Sequence, residues 1–445
     1  MYISRLRLTN VKGFTGPRVV DLDLTRPDGS YAGWTVLAGR NGSGKTTILR
    51  AIALTFLGSS GTVFEEDMAQ WVSAGTEEGR AQLTVIPPHD GHVLFNFEEG
   101  LEWGWRWSSV PGEGGAIGIS SGPLPDQRHL FPPDVRRRRG EPAWLCIGYG
   151  PFRRPEKHSL GSRWRIKGEE VGRVVSLFRE DAVLEEGISW LIRAHLRTLE
   201  RKVDAEVILD SALRILSDGL LPDSYKIGKV DSDGLWVTKG DRRFPLREMS
   251  DGYRTITALV LDLLIQIRFA FNNLPFAVTE AGVPIVTAPG VVLIDEVEAH
   301  LHISWQKRIG SWLKQHFPQI QFIVTTHSPY ICQEADPGGL IRLPGPDEEA
   351  APERVSDDLY ERVVYGSGDD AVLTELFGLD STYSEAAQRL RRYLVKLEAK
   401  VIEGSANERE ISRYQELRDQ LTSSAATRVG EVAAALRLPK DPTDQ

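Results

Sequence analysis

A chain of 445 residues exceeds what one hydrophobic core usually fills, so two or three lobes, or one domain with large insertions, are expected. Its 41% hydrophobic and 26% charged residues exclude fibrous and disordered classes, and a net charge of -9 opposes indiscriminate binding to nucleic acid or anionic membranes. Only Cys146 and Cys332 are present, which indicates neither a disulfide framework nor a cysteine zinc site and fits a reducing compartment.

The chain opens with "MYISRLRLTN", whose charges break up every apolar run, so no signal peptide is expected and a cytoplasmic location is. "YISRLRLTN", "RVVDLDL" and "WTVLAG" have the alternation or β-branched content of strands. "TILRAIALTFLG" carries helical periodicity and ends at Gly58, a plausible C-cap. Residues 81–107 read as antiparallel strands turned by "HDG" and "EEG". A Gly/Pro-rich excursion follows and ends in Arg136 to Arg139. Helical signals return at "VVSLFRE", "ISWLIRAHLRTLERKV" and "ILDSALRIL", and a hairpin is expected around "SDG" at 232–234.

"PLREMSDGYRT" then leads into "ITALVLDLLIQI", an apolar helix interrupted by Asp262 and Gln266 and short of the ~20 residues needed to span a membrane. The strand "GVVLIDE", the helix "SWQKRIGSWLKQHF" and the strands "IQFIVTTH" and "GLIRLP" alternate as a parallel sheet requires. In the tail, Leu390, Leu394, Leu397 and Val401, then Ile411, Tyr414, Leu417 and Leu421, repeat at helical spacing. "EGSAN" joins the two segments, with Ser405 and Glu408 spaced as a capping box, so a helical hairpin is predicted.

Gly39, Arg40, Asn41, Gly42, Ser43, Gly44, Lys45 and Thr46 fit G-x-x-x-x-G-K-[ST] between a predicted strand and a predicted helix that continues with Thr47. In that context backbone N–H groups and the helix N-terminus cradle phosphates, Lys45 reaches the β and γ phosphates of ATP, and the Thr46 hydroxyl ligates Mg²⁺. Asp295, at the end of an apolar strand, is the candidate carboxylate that holds the metal, and Glu296 beside it is suited to polarise a water. His327 ends another apolar strand. Ser250, Asp251 and Gly252 combine a hydroxyl, an Asp-Gly turn and a helix start into a second anion-binding nest, though simple N-capping by Ser250 or Asp251 explains the same residues.

In this order the P-loop, "MSDGYRT", "VVLIDE" and "TTHSP" resemble the ATP-binding-cassette type of head found in structural-maintenance-of-chromosomes (SMC) proteins. RecF-like repair proteins and the ATPases of OLD-family and related anti-phage systems, such as Septu and PARIS, share it. The resemblance covers about residues 1–330 and implies an α/β fold with an N-terminal antiparallel β layer and a parallel-sheet P-loop core, to which the helical insertion and the C-terminal helical hairpin read above are added. The expected divisions are 1–108 and 224–345 for the two halves of the head, 109–223 for the basic and helical insertion, and 346–445 for a helical tail. The resemblance further implies that Ser250 and Gly252 contact ATP on another subunit's P-loop, that Glu296 is the hydrolytic carboxylate, and that His327 senses the γ-phosphate.

Lys12 or Phe14 in "NVKGF" would face the base, and Gln70 is the candidate glutamine-loop ligand of Mg²⁺. "WLCIGYGPFRRP", with Arg153 and Arg154, is the competing loop. "EVEAHLHISW" resembles the acid-rich segment of the defence and repair ATPases, while His300 and His302 lack a third metal ligand nearby. Residues 131–180 hold twelve Lys/Arg against six Asp/Glu, with Trp164 among them, a candidate nucleic-acid face or partner-docking surface.

The expected protein is therefore an ATPase whose heads pair on ATP in a homo-oligomer, with a separate effector such as a nuclease or toxin in an anti-phage complex. A RecF-like repair ATPase binding DNA through the basic insertion is the alternative.

Overall fold

The computed structural model describes residues 1–68, 70–86, 101–109, 117–121, 145–152, 169–180, 187–221, 224–379 and 381–421. Two compact units emerge, Met1–Gly378 and Leu379–Gln445.

The first unit begins with β1 (Tyr2–Thr9), whose Ile3, Leu6 and Leu8 are buried while Arg5 and Arg7 reach Asp21 on β2 (Val20–Asp23). After β3 (Gly33–Gly39), helix α1 (Lys45–Leu57) ends at Gly58, where φ is 54° and the N–H bonds to the Leu54 carbonyl, the C-cap expected from sequence. Strands β4 (Glu78–Ile86), β5 (Leu101–Ser109) and β6 (Ile117–Ser121) complete a five-stranded antiparallel sheet in the order β2-β1-β4-β5-β6. The turns expected at 89–91 and 98–100 and the arginine-ended excursion lie outside the described residues.

Strand β7 (Cys146–Tyr149) is followed by residues that were expected to be helical at 174–180 but form a single tight turn at Val175–Leu177. Contacts to β7 replace the helical ladder there. The Gly148 N–H donates to the Arg173 carbonyl at 2.8 Å, and the Ser176 hydroxyl donates to the Gly148 carbonyl at 2.9 Å. Helices α2 (Gly187–Leu199) and α3 (Val203–Ser217) come next. Strands β8 (Lys226–Asp231), β9 (Gly234–Lys239) and β10 (Arg242–Pro245) then form a small sheet, with the β8–β9 hairpin closed at residues 232–233 as the sequence predicts.

Helix α4 (Asp251–Phe271) is long and largely buried. After the β11 (Phe276–Val278) and β12 (Pro284–Val286) pair comes β13 (Gly290–Ile294). The helix expected over 304–317 is broken: a short turn, Ile303–Gln306, precedes α5 (Ile309–His316), and Arg308 between them has a non-helical φ of -138°. Strands β14 (Ile320–Thr326), β15 (Leu340–Leu343) and β16 (Glu353–Arg354) and helix α6 (Asp357–Val364) follow.

The central sheet runs β16-β15-β3-β14-β13-β7, all parallel apart from β16. Its strands are apolar runs because both faces are covered. On β13, Val291 and Leu293 join one buried cluster with α1 and the antiparallel sheet, while Val292 and Ile294 join the other with α4 and α5. Buried Gln321 ties the two sheets: its side-chain amide accepts from the Ile3 N–H at 2.7 Å and donates to the Ile3 carbonyl at 2.8 Å. Among the described residues no helix is long and apolar enough to cross a membrane.

The first unit extends beyond the 345/346 boundary expected from sequence. β16 pairs with β15, and Leu359 and Val363 of α6 are buried in its core. The second unit contains α7 (Glu385–Ile402) and α8 (Glu408–Gln420), with Leu397 and Leu417 buried. The capping box is Asn407/Glu410, not Ser405/Glu408. Gly404 (φ 69°) terminates α7, and the Ser405 hydroxyl bonds back to the Lys400 carbonyl, which leaves Asn407 as the first residue free to cap α8.

Candidate nucleotide site

Strands β3, β14 and β13 lie side by side, so their carboxyl ends bring the P-loop, His327 and the Asp295-Glu296 pair to one rim of the sheet. Gly42 (φ 79°) and Gly44 (φ 95°) adopt backbone conformations that side chains disfavour. At Gly44 a Cβ would also lie 2.4 Å from the Phe14 ring. Lys45 is buried and donates to the carbonyls of Gly39 (2.7 Å) and Arg40 (3.1 Å). Burial pushes its pKa down to about 8, against the pull of Asp295, Glu298 and Glu296. The Ser43 hydroxyl is buried without a hydrogen-bond partner. Arg40 and Asn41 are exposed, Arg40 lying 3.5 Å from Asp347, and Thr47 is buried in α1.

The Thr46 hydroxyl donates to one Asp295 oxygen at 2.8 Å, and Thr325 donates to the other at 2.5 Å. The Thr325 hydroxyl in turn accepts from the Glu296 N–H at 2.8 Å. Glu296 is exposed and has φ 44°, a left-handed conformation that a non-glycine residue holds only when its surroundings impose it. His327 is exposed between buried Thr326 and Ser328. Partial burial lowers its pKa, as does Lys45, while Glu298 and Asp295 oppose the shift.

Ser250 is exposed at the N-cap of α4, yet its side chain makes no capping bond, and Asp251 pairs with Arg254. Gly252 is required sterically, because a Cβ there would lie 2.7 Å from the His300 carbonyl.

Phe14 departs from its expected role. It is 2% exposed and packs beneath Gly44, so it supports the P-loop from inside and has no face to offer a base. Lys12 is exposed, with its ammonium over the Trp71 ring at 5.2 Å. Gln70 is exposed in the turn before Trp71. The competing loop follows β7, which pairs with β13, and the Tyr149 carbonyl accepts from the Asp295 N–H at 2.8 Å. Arg153, Arg154 and most of the basic stretch lie outside the described residues. His302 caps the Ile303–Gln306 turn, and no cluster of three His, Cys, Asp or Glu side chains suited to a metal occurs among the described residues.

Thr325 and Glu298 were not singled out by sequence reasoning. Their signals were the doubled threonine of "TTH" and the second acid of "DEVE".

A P-loop between β3 and α1, an acidic pair just after β13 and a histidine just after β14, the strand between them, form the arrangement that the sequence resemblance to ATP-binding-cassette heads implies. Comparison with known proteins finds similarity to AAA domains over parts of the chain. Residues 162–333 match the family described as "AAA domain, putative AbiEii toxin, Type IV TA system", and residues 5–84 match one described as "AAA domain". The chain is 26% identical over 428 residues to a Septu protein PtuA of Bacillus mycoides (strain KBAB4), covering 95% of this chain and 50% of that protein. It is 32% identical over 166 residues to the Retron Ec83 probable ATPase of Escherichia coli, covering 36% of this chain and 29% of that protein. The chain thus spans about half the length, or less, of the curated relatives it matches. Among solved structures, an Smc head domain derived from Pyrococcus furiosus aligns over 82% of this chain and 98% of its own, with 17% identity and a TM-score of 0.46.

Proposed function

We propose that this chain hydrolyses ATP, that two copies of its head engage around the nucleotide, and that it serves as the ATPase subunit of an anti-phage complex with a separate effector. The observation that carries the enzymatic part is the Thr46–Asp295 hydrogen bond beside the buried Lys45, which joins the two halves of a Mg²⁺-nucleotide site across 249 residues of chain.

The residues present fit ATP and Mg²⁺. Gly42 and Gly44 shape an anion nest, Ser43 holds an unpartnered buried hydroxyl, and Lys45 is a buried cation. Thr46 and Asp295 are hard oxygen donors of the kind Mg²⁺ prefers and would hold it. Bound Mg²⁺ would supply charge neutralisation on the phosphates. Lys45 would trade the Gly39 and Arg40 carbonyls for phosphate oxygens. Glu296 would accept the proton of the attacking water, and His327 would donate a hydrogen bond to the γ-phosphate.

Pairing of heads is supported by the unengaged Ser250 hydroxyl at the start of the 21-residue α4. A defence role is supported by the likeness to proteins named for Septu and retron systems. The DNA-repair alternative rests on the basic stretch, most of which lies outside the described residues, and no other observation favours it. Phosphate release from ATP by the purified chain tests the enzymatic part. Lys45→Ala is expected to lower the rate by at least ~100-fold, and hydrolysis at the wild-type rate by that variant would overturn it.

A further inference from the structure

Two residues beyond Glu296 the chain carries a second acid that the scheme above leaves unused. Glu296 turns outward through its positive φ, Val297 is buried with its N–H on the Thr325 carbonyl at 3.1 Å, and Glu298 is thereby returned to the end of β14. There one carboxylate oxygen accepts from the Thr326 hydroxyl at 2.7 Å, and the other accepts from the His327 N–H at 2.5 Å. The turn is fixed from its far side as well. The Ser328 N–H donates to Thr326 Oγ1 at 2.9 Å, and the Ser328 hydroxyl donates to Gln306 at 2.7 Å.

A carboxylate that accepts two donors fixes both, and charge-assisted bonds of this kind are about twice as strong as neutral ones. The residue so fixed is His327, whose own side chain is exposed and within electrostatic reach of Lys45 and Asp295. From this geometry we infer that Glu298 is a positioning residue for ATP hydrolysis: by holding the His327 main chain, it sets the imidazole at the γ-phosphate position beside Lys45. The inference rests on the ATPase reading. Glu298 touches no reacting atom in this role, so it acts on turnover and not on nucleotide capture.

The experiment is a double-mutant cycle on the full chain, measuring kcat and KM for ATP in the wild type, Glu298→Ala, His327→Ala and the double variant. Glu298→Ala is expected to lower kcat by about tenfold or more while KM stays within about twofold. Glu298→Gln, which keeps a carbonyl oxygen for the His327 N–H, should recover part of the loss. In the His327→Ala background, removing Glu298 should cost less than about twofold further, because the two act as one unit. Wild-type kcat in Glu298→Ala, or the same loss whether or not His327 is present, overturns the inference. A wild-type chain that hydrolyses no ATP would instead defeat the ATPase reading. Amide hydrogen exchange then judges the positioning contact separately: Glu298→Ala must speed exchange across 326–330 and leave α1 unchanged, and unaltered protection at 326–330 sinks it.

Discussion

Thr46 on the P-loop helix and Asp295 at the end of β13 are joined by a 2.8 Å hydrogen bond, and the second Asp295 oxygen is held by Thr325. Asp295 is 2% exposed, so its carboxylate links three elements with both oxygens committed. Asp295→Asn retains one acceptor and presents an amide to the other hydroxyl. The variant should lose about 1–2 kcal/mol of stability by urea unfolding. Calorimetric titration should show that Mg²⁺ no longer improves ATP affinity, and an undiminished Mg²⁺ effect would remove Asp295 from the metal site.

Glu296 combines a proposed catalytic role with a strained φ of 44°. Glu296→Gly should relieve that strain and raise stability by about 0.5–1 kcal/mol while abolishing hydrolysis. Glu296→Gln should keep the strain, bind ATP and accumulate as an engaged pair, read as a doubled mass by light scattering. Full turnover in either variant would assign the water-activating role elsewhere.

Ser250 makes no capping bond, so its replacement should leave α4 intact. Ser250→Arg places a long cation where a second copy's nucleotide would sit. ATP affinity of the isolated head should stay within about threefold, under ~0.7 kcal/mol, while ATP-dependent pairing disappears. Loss of ATP binding itself would mean that the loop faces its own chain's nucleotide.

His316 gives a pH dependence unconnected with catalysis. It is fully buried, its Nδ1 lies 2.7 Å from the Pro284 carbonyl, and burial holds its pKa below the ordinary 6.5, with Asp218 opposing. The unfolded chain takes up a proton near pH 6.5 that the folded chain refuses until lower pH. Its contribution is therefore complete above that pH and declines as the pH falls through the window below it, by up to about 1.4 kcal/mol per unit. Urea unfolding at pH 7.5 and 5.5 should show a larger acid-induced loss in the wild type than in His316→Gln. Equal losses in both would place the acid sensitivity in other groups.

The central sheet and the P-loop were legible because "WTVLAG", "GVVLIDE" and "IQFIVTTH" are apolar runs ended by polar, chemistry-bearing residues, a pattern that buried parallel strands impose. What could not be read was adjacency. Phe14 in a turn looks available to a base until Gly44 is found resting on its ring. That β7, about 150 residues before it in the chain, is the strand lying beside Asp295 is likewise invisible in the order of the motifs. The capping error has a similar origin: Ser405 with Glu408 and Asn407 with Glu410 both match the spacing, and only the path of the chain after Gly404 decides between them.

Among the described residues, strand β3, which carries the P-loop, has β14 and β15 as its sheet neighbours, and the Gln321 bridge reaches back 318 residues to Ile3. A ribosome therefore completes the phosphate-binding loop long before it makes the strands against which that loop is shaped. A nascent chain ending before β14 lacks both described neighbours of β3 together with Thr325 and His327, so the proposed site cannot assemble on it.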